Sequence, residues 1–292
     1  MPSYNLTAIN LGGFQIGESD KVISMFSAER GLVRAVAKGA KKPGTKMAGK
    51  SEALCANKLM IAKGRSLDII TQAESIDTFR RVRSDLTRLT FALYYAELTQ
   101  AFGEGLEEES EVYYHVLFNS LRMQEAAIAD ARQLSLEFSM FLLNQLGVSP
   151  ELTVCVKCRE PLTEYSIAAF YSEMGGVGCN RCGQDARSKQ SVAESSLRND
   201  YSSRSGQRRE NHDHHYEERG IFVTKLVWKI LVNASVASED LMDPEVFQGG
   251  SQRPGYSEAQ APALDAAHRL MQRYLEERAG KKMRTLDLLK QF

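Results

Sequence analysis

The sequence predicts an α+β multidomain protein: a small β-barrel at the N terminus, then an all-α body that carries a cysteine module. Three observations predict this. The first 75 or so residues read as short strands punctuated by glycine. Near Ser84 the hydrophobic period changes from two to about 3.6. Four of the five cysteines fall in two C-x-x-C pairs. The chain has 292 residues, 43% hydrophobic and 25% charged. That is enough apolar material for a core, and it excludes a wholly disordered chain. Two domains plus an appendage is the natural division at this length.

The strands are expected at 4–11, 22–26, 32–37, 54–61 and 67–71. Gly12-Gly13, Gly17, Gly31, Gly39 and Pro43-Gly44 supply turn signals between them. Five short strands in a segment of this size suit an OB-fold, whose open face accepts single-stranded nucleic acid. An SH3-like barrel fits the strand count nearly as well.

Ser84 or Asp85 is placed to cap a helix with Leu86, Leu89, Leu93 and Ala96 on one face. Phe91, Tyr94, Tyr95 and Leu98 lie elsewhere around it, so burial on more than one side is expected. The acidic run 107–111 begins a second helix and complements its dipole. A third spans 130–146, and later ones 222–234 and 263–278. The aromatic residues of this body read as core. The organisation is therefore an OB-fold domain over 1–80, a helical part over 81–150, a four-cysteine zinc module over 151–186 and a second helical part over 220–292. Between the last two, 187–219 holds seven serines and many charges, and is expected to be a disordered polar insert. The stretch 248–262 reads as a loop.

Formal net charge is zero, but it is unevenly spread. Residues 1–65 hold 11 Lys and Arg against 4 Asp and Glu, a net +7, so residues 66–292 carry −7. Such asymmetry marks a polyanion-binding face. Arg34, Lys38, Lys41, Lys42, Lys46 and Lys50 fall on one strand and the loop beyond it, and are the candidate nucleic-acid contacts. Lysines there track phosphates as point charges and read no sequence. Phe14 and Phe26 are the nearby aromatic candidates for base stacking, with Phe26 assigned to the core. Binding is thus expected to be electrostatic more than stacking.

Cys155, Cys158, Cys179 and Cys182 form CVKC and CNRC, separated by residues 159–178. This spacing suits a tetrahedral shell of four thiolates around one structural Zn2+. Such a shell leaves no open coordination position, so the metal is read as a staple rather than a catalyst. A DNA contact through Lys157 and Arg181 is the secondary reading of the module. Cys55 reads as a plain buried thiol, and His212, His214 and His215 as part of a solvated loop. No G-x-x-x-x-G-K-[ST], G-x-S-x-G or H-E-x-x-H occurs, and no catalytic constellation is found. No run approaches the ~18 apolar residues of a membrane span, and no secretory signal is read at the N terminus. Disulfides are therefore not expected, and the chain reads as cytosolic.

Five segments carry a family resemblance. They are GESD (17–20) with FSAERG (26–31), VAKGAKK (36–42), LGVSPEL (146–152) leading into Cys155, Phe170 through Gly175-Gly176 before Cys179, and the tail with RTLDLL (284–289). In this order they resemble the RecO family of bacterial recombination mediators, over most of the chain outside 187–219 and 248–262. The resemblance implies an N-terminal OB-fold, a helical domain and a zinc finger without enzymatic activity. It implies binding of ssDNA and dsDNA, strand annealing, and a cytoplasmic, nucleoid-associated place in the RecFOR pathway of DNA repair and recombination. It implies partnership with RecR, contact with the acidic C-terminal tail of single-strand-binding protein (SSB), and indirect help to RecA. The polar insert departs from the family pattern. Two readings from other classes stand beside this one: a zinc-containing interaction scaffold without direct DNA binding, and a zinc-dependent hydrolase, which the closed thiolate shell argues against.

Overall fold

The computed structural model describes residues 2–42, 44–127, 129–183, 220–243, 255–285 and 287–288. The chain forms two compact units, Met1–Gly147 with Asn233–Phe292, and Val148–Val232.

The first unit opens with β1 (Ser3–Ile16), β2 (Asp20–Ser27), β3 (Gly31–Ala37), β4 (Ala56–Ala62) and β5 (Asp68–Asp77). They close into a barrel in the order β1-β2-β3-β5-β4. All pairs are antiparallel except β3 with β5, which runs parallel from Ala35↔Asp68 to Ala37↔Ile70. That parallel closure is the OB-type arrangement and sets aside the SH3-like alternative. Strand alternation fills the interior with Leu6, Ala8, Ile23, Met25, Ala35, Ala37, Leu59, Ile61 and Ile70.

Gly12-Gly13 is not a turn, as the sequence suggested, but lies inside β1. The register between β1 and β2 shifts between Asn10 and Gly12, so a bulge bends the strand and carries it on to Ile16. A Cβ at Gly13 would stand 2.3 Å from the Val22 carbonyl oxygen, so glycine permits the close pairing there.

The helices are α1 (Arg80–Ser84), α2 (Leu86–Phe102), α3 (Ser110–Ala126), α4 (Ala131–Gln145), α5 (Lys225–Ala237) and α6 (Ala261–Ala279). Asp85 caps α2 by accepting from the Arg88 N–H, and Asp130 caps α4 through the Arg132 N–H. The aromatic residues are core, as expected. Tyr95 stacks on Phe138 with ring centroids 4.4 Å apart, and Tyr113 meets Phe138 at 5.9 Å and the barrel's Phe26 at 5.0 Å. The Tyr95 and Tyr113 hydroxyls are satisfied by Gln124 at 2.8 Å and Thr99 at 2.9 Å. The expected helix at 222–234 starts later than read, because Phe222 belongs to a strand and the helix begins at Lys225. Of 248–262, residues 255–257 have no regular structure and α6 has begun by Ala261. The insert at 187–219, its histidines included, lies outside the described residues.

His268 on α6 is buried, 2.9 Å from the Ser135 hydroxyl and edge-on to Phe91. Burial pulls its pKa down from 6.5 to about 4, against a small opposing pull from Asp265. Between those values the unfolded chain holds a proton that the folded chain lacks. Stability is therefore complete above the ordinary histidine pKa and is lost progressively as pH falls toward about 4. Urea unfolding should show a loss of about 2 kcal/mol between about pH 7 and about pH 5, and His268→Gln should flatten that difference.

The second unit contains β6 (Ile167–Tyr171), β7 (Gly176–Cys179) and β8 (Ile221–Phe222) in a three-stranded sheet of order β7-β6-β8. The sequence reading did not include this sheet. Every residue of β6 is buried, so the alternation that reveals a strand is missing. Trp228 at the start of α5 donates its indole N–H to the Leu152 carbonyl at 2.9 Å.

Candidate nucleic-acid interface and metal site

The basic segment after β3 is a built loop. Gly39, at φ +67°, donates its N–H to Asp20 Oδ1 at 2.8 Å. The Thr45 hydroxyl donates to the Gly39 carbonyl at 2.9 Å, and the Lys41 N–H to the Ser19 carbonyl at 2.9 Å. At the far end, Asn10 Nδ2 donates to the carbonyls of Lys50 and Glu52 at 2.8 and 2.9 Å. The Gly39 N–H and the Ser19 hydroxyl hold the Asp20 carboxyl below the usual carboxylate range, helped by Lys38 and Lys42. GESD and VAKGAKK are thus two halves of one device, a carboxylate that pins a lysine loop. Asp20→Ala should speed hydrogen exchange at the Gly39 amide several-fold, with the barrel strands unaffected. Because the folded carboxyl titrates below its unfolded value, this anchor is present at neutral pH and is lost as pH falls through the lowered pKa.

The loop places the predicted contacts unequally. Arg34 is exposed on the outer face of β3, and Lys38, Lys41, Lys42 and Lys46 are exposed on the loop. Lys41 reaches back to the Gln15 side-chain oxygen. Lys50 differs: it is half-buried and its ammonium donates to the Ala73 carbonyl on β5. Lys21 is held by Glu52 at 2.7 Å. Phe26 is fully buried, while Phe14 is 62% exposed. Asp20 and Asn10 organise the loop, but the sequence reading gave them no role there, because their partners lie about 20 and 40 residues away.

The second unit brings the four predicted cysteines together. The sulfurs of Cys155, Cys158, Cys179 and Cys182 lie within 4.8 Å of one another, and Cys158 and Cys179 are 3.7 Å apart. A tetrahedral shell with Zn–S near ~2.3 Å requires edges of about 3.8 Å, so the thiols are already spaced to hold a metal ion. The first knuckle turns through Arg159, at φ +61°, whose N–H returns to the Cys155 carbonyl at 2.9 Å. The second closes with the N–H groups of Cys182 and Gly183 on the Cys179 carbonyl. Gly176 lets the strands converge, since a Cβ there would lie 2.4 Å from the Glu151 carbonyl oxygen.

The electrostatics around the sulfurs favour the thiolate at Cys155 and Cys158 and the thiol at Cys182. The Glu160 N–H leads in lowering the Cys158 thiol to about 6, and the Arg181 guanidinium assists. Cys155 also falls despite its burial, through the N–H groups of Cys158, Cys179 and Lys157. Burial, reinforced by the neighbouring sulfurs, pushes Cys182 up to about 12. Lys157 and Arg181 both have local partners: the Lys157 ammonium sits 4.1 Å from the Tyr171 ring centroid, and Arg181 bonds Cys158.

Residues 1–79 match the family described as Recombination protein O N terminal, and residues 83–198 that described as Recombination protein O C terminal. A DNA repair protein RecO of Desulforamulus reducens is 34% identical over 183 residues, covering 62% of this chain and 70% of that protein. Its counterpart in Gloeobacter violaceus is 38% identical over 182 residues, covering 62% and 69%. The chain belongs to the RecO family. The N-terminal RecO match spans the barrel and its lysine loop, and the C-terminal match spans all four cysteines. Membership places the chain in DNA repair. No helix among the described residues is long and apolar enough to cross a membrane.

Proposed function

We propose that this RecO-family chain is a non-catalytic DNA-binding mediator of repair and homologous recombination. It binds ssDNA and dsDNA, anneals complementary strands and, with RecR, helps load RecA onto SSB-coated ssDNA in the cytoplasm, at the nucleoid. One observation carries the reading: on an OB-type barrel Arg34 stands exposed on β3, and Lys38, Lys41, Lys42 and Lys46 stand exposed on the following loop fixed by Asp20. Cations held there displace condensed counterions from a phosphate backbone, and that release drives binding without reading bases. Annealing has the same requirement: two polyanions are brought together with repulsion screened and base edges left free. The partners RecR, the SSB C-terminal tail and, indirectly, RecA follow from the family rather than from any surface described above.

The metal is proposed to be one Zn2+, held by Cys155, Cys158, Cys179 and Cys182. When bound it supplies fixed geometry, since four thiolates fill a tetrahedral shell. Arg181 then offsets thiolate charge at Cys158. The deciding experiment measures annealing of complementary oligonucleotides, bare and SSB-coated, with and without the protein. Acceleration in both is expected. A protein that ignores oligonucleotides even in dilute salt would be an interaction scaffold instead.

A further inference from the structure

We propose that Phe14 is a base-stacking residue that adds affinity for single-stranded over duplex DNA. The inference rests on the DNA-binding reading and deepens it. Cross-strand register defines the outer face of β1, β2 and β3 in three rungs: Ile9–Phe26–Leu32, Gly12–Ser24–Arg34 and Phe14–Val22–Val36. The helical body covers the first rung, where a Cβ at Gly103 would meet Phe26 and Leu32 at 3.6 and 3.5 Å. It reaches the second through Gln100, whose side chain donates to the Leu11 carbonyl at 3.3 Å. In the third rung Val22 is buried and Val36 half-buried, while at the β1 edge Phe14 is 62% and Ile16 45% exposed.

A strand with one solvated face alternates apolar-in with polar-out. Here two large apolar side chains, two residues apart, face outward at the open end of β1. Two cations stand near them, and Asp20 is the cross-strand partner of Ile16. Arg34 is one rung away on the same face, about 12 Å from Phe14 by strand spacing and rise. Lys41 is held at Gln15, the next residue along the chain. An apolar partner protein would not select these neighbouring cations. A polyanion with exposed aromatic faces does, and single-stranded nucleic acid is such a ligand. A duplex offers the same phosphates but keeps its bases stacked internally, so it gains nothing from the ring.

The full-length chain and its Phe14→Leu and Phe14→Trp variants should be titrated against three probes at one salt concentration. These are single-stranded oligothymidine, a duplex of matching phosphate count, and an oligomer of abasic sites. Phe14→Leu keeps an apolar strand residue and should weaken oligothymidine binding about tenfold, the size of one base–aromatic stack. It should leave the duplex and the abasic oligomer unchanged. Phe14→Trp should restore affinity, and its introduced indole should be quenched by oligothymidine and not by the abasic probe. Equal loss on all three probes, or no loss on any, overturns the proposal. Binding that responds to loop lysines but not to Phe14 removes this inference alone. A wild-type chain that binds none of the probes removes the DNA-binding reading with it.

Discussion

Cys158→Ser is expected to reduce bound metal from one per chain to almost none and to unfold the module around the knuckles. Val156, Ala168, Ala169 and Tyr171 form a buried apolar cluster beside the knuckles. The first knuckle depends on a residue with positive φ at Arg159, and the second on hydrogen bonds to one carbonyl, that of Cys179. Neither turn is a strong structure alone. In zinc-finger peptides the metal supplies roughly 10–16 kcal/mol of apparent folding free energy. Serine keeps the volume but removes a thiolate, and three sulfurs cannot close the shell. Metal analysis should show the loss. Limited proteolysis should find new cleavage between residues 151 and 183, while the barrel keeps its protection. A chelator should reproduce the effect in the wild type, more readily at lower pH, because the ligand thiols must be deprotonated to bind. A serine variant that retains one metal per chain and an intact module would refute the staple role.

The sequence carried much of this architecture in local signals, and the failures have definite physical sources. The apolar run at 22–26 revealed β2, in which every residue from Val22 to Ser27 is buried, and alternation at 32–37 revealed β3. The cysteine pairs were legible because their spacing is a metal-ligand constraint. Gly12 and Gly13 misled because glycine serves a bulge as well as a turn, and only the partner strand distinguishes the two. Lys50 resembles its neighbours in the chain, and its bond to the Ala73 carbonyl, brought near by barrel closure, is not visible in sequence. Ile221 and Phe222 form a two-residue strand whose partner, β6, lies about 50 residues earlier, and no local period announces such a pair. Long-range pairing defeated the reading in each case, including Asp20, whose role appears only when Gly39 folds against it.

Replacing Lys38, Lys41 and Lys42 together with alanine should weaken ssDNA binding about 100-fold at about 0.1 M salt, for every sequence alike. Each phosphate contact contributes about 0.7 to the salt dependence of log K on single strands, so three contacts account for a slope near 2. A slope of that size corresponds to two decades of affinity at about 0.1 M salt. The fold should tolerate the change. All three side chains are exposed, and the loop is pinned mainly through Gly39, Asp20 and Thr45, with the Lys41 ammonium adding a bond to Gln15. Lys50→Ala is the contrasting variant. It removes a hydrogen bond to the Ala73 carbonyl, so it should lower thermal stability while leaving the salt slope almost unchanged. Titrations by fluorescence anisotropy at several salt concentrations separate the two outcomes. A triple variant with the wild-type slope would show that phosphates engage another surface. A Lys50→Ala variant with a flattened slope would return that residue to the interface, where its sequence position alone had put it.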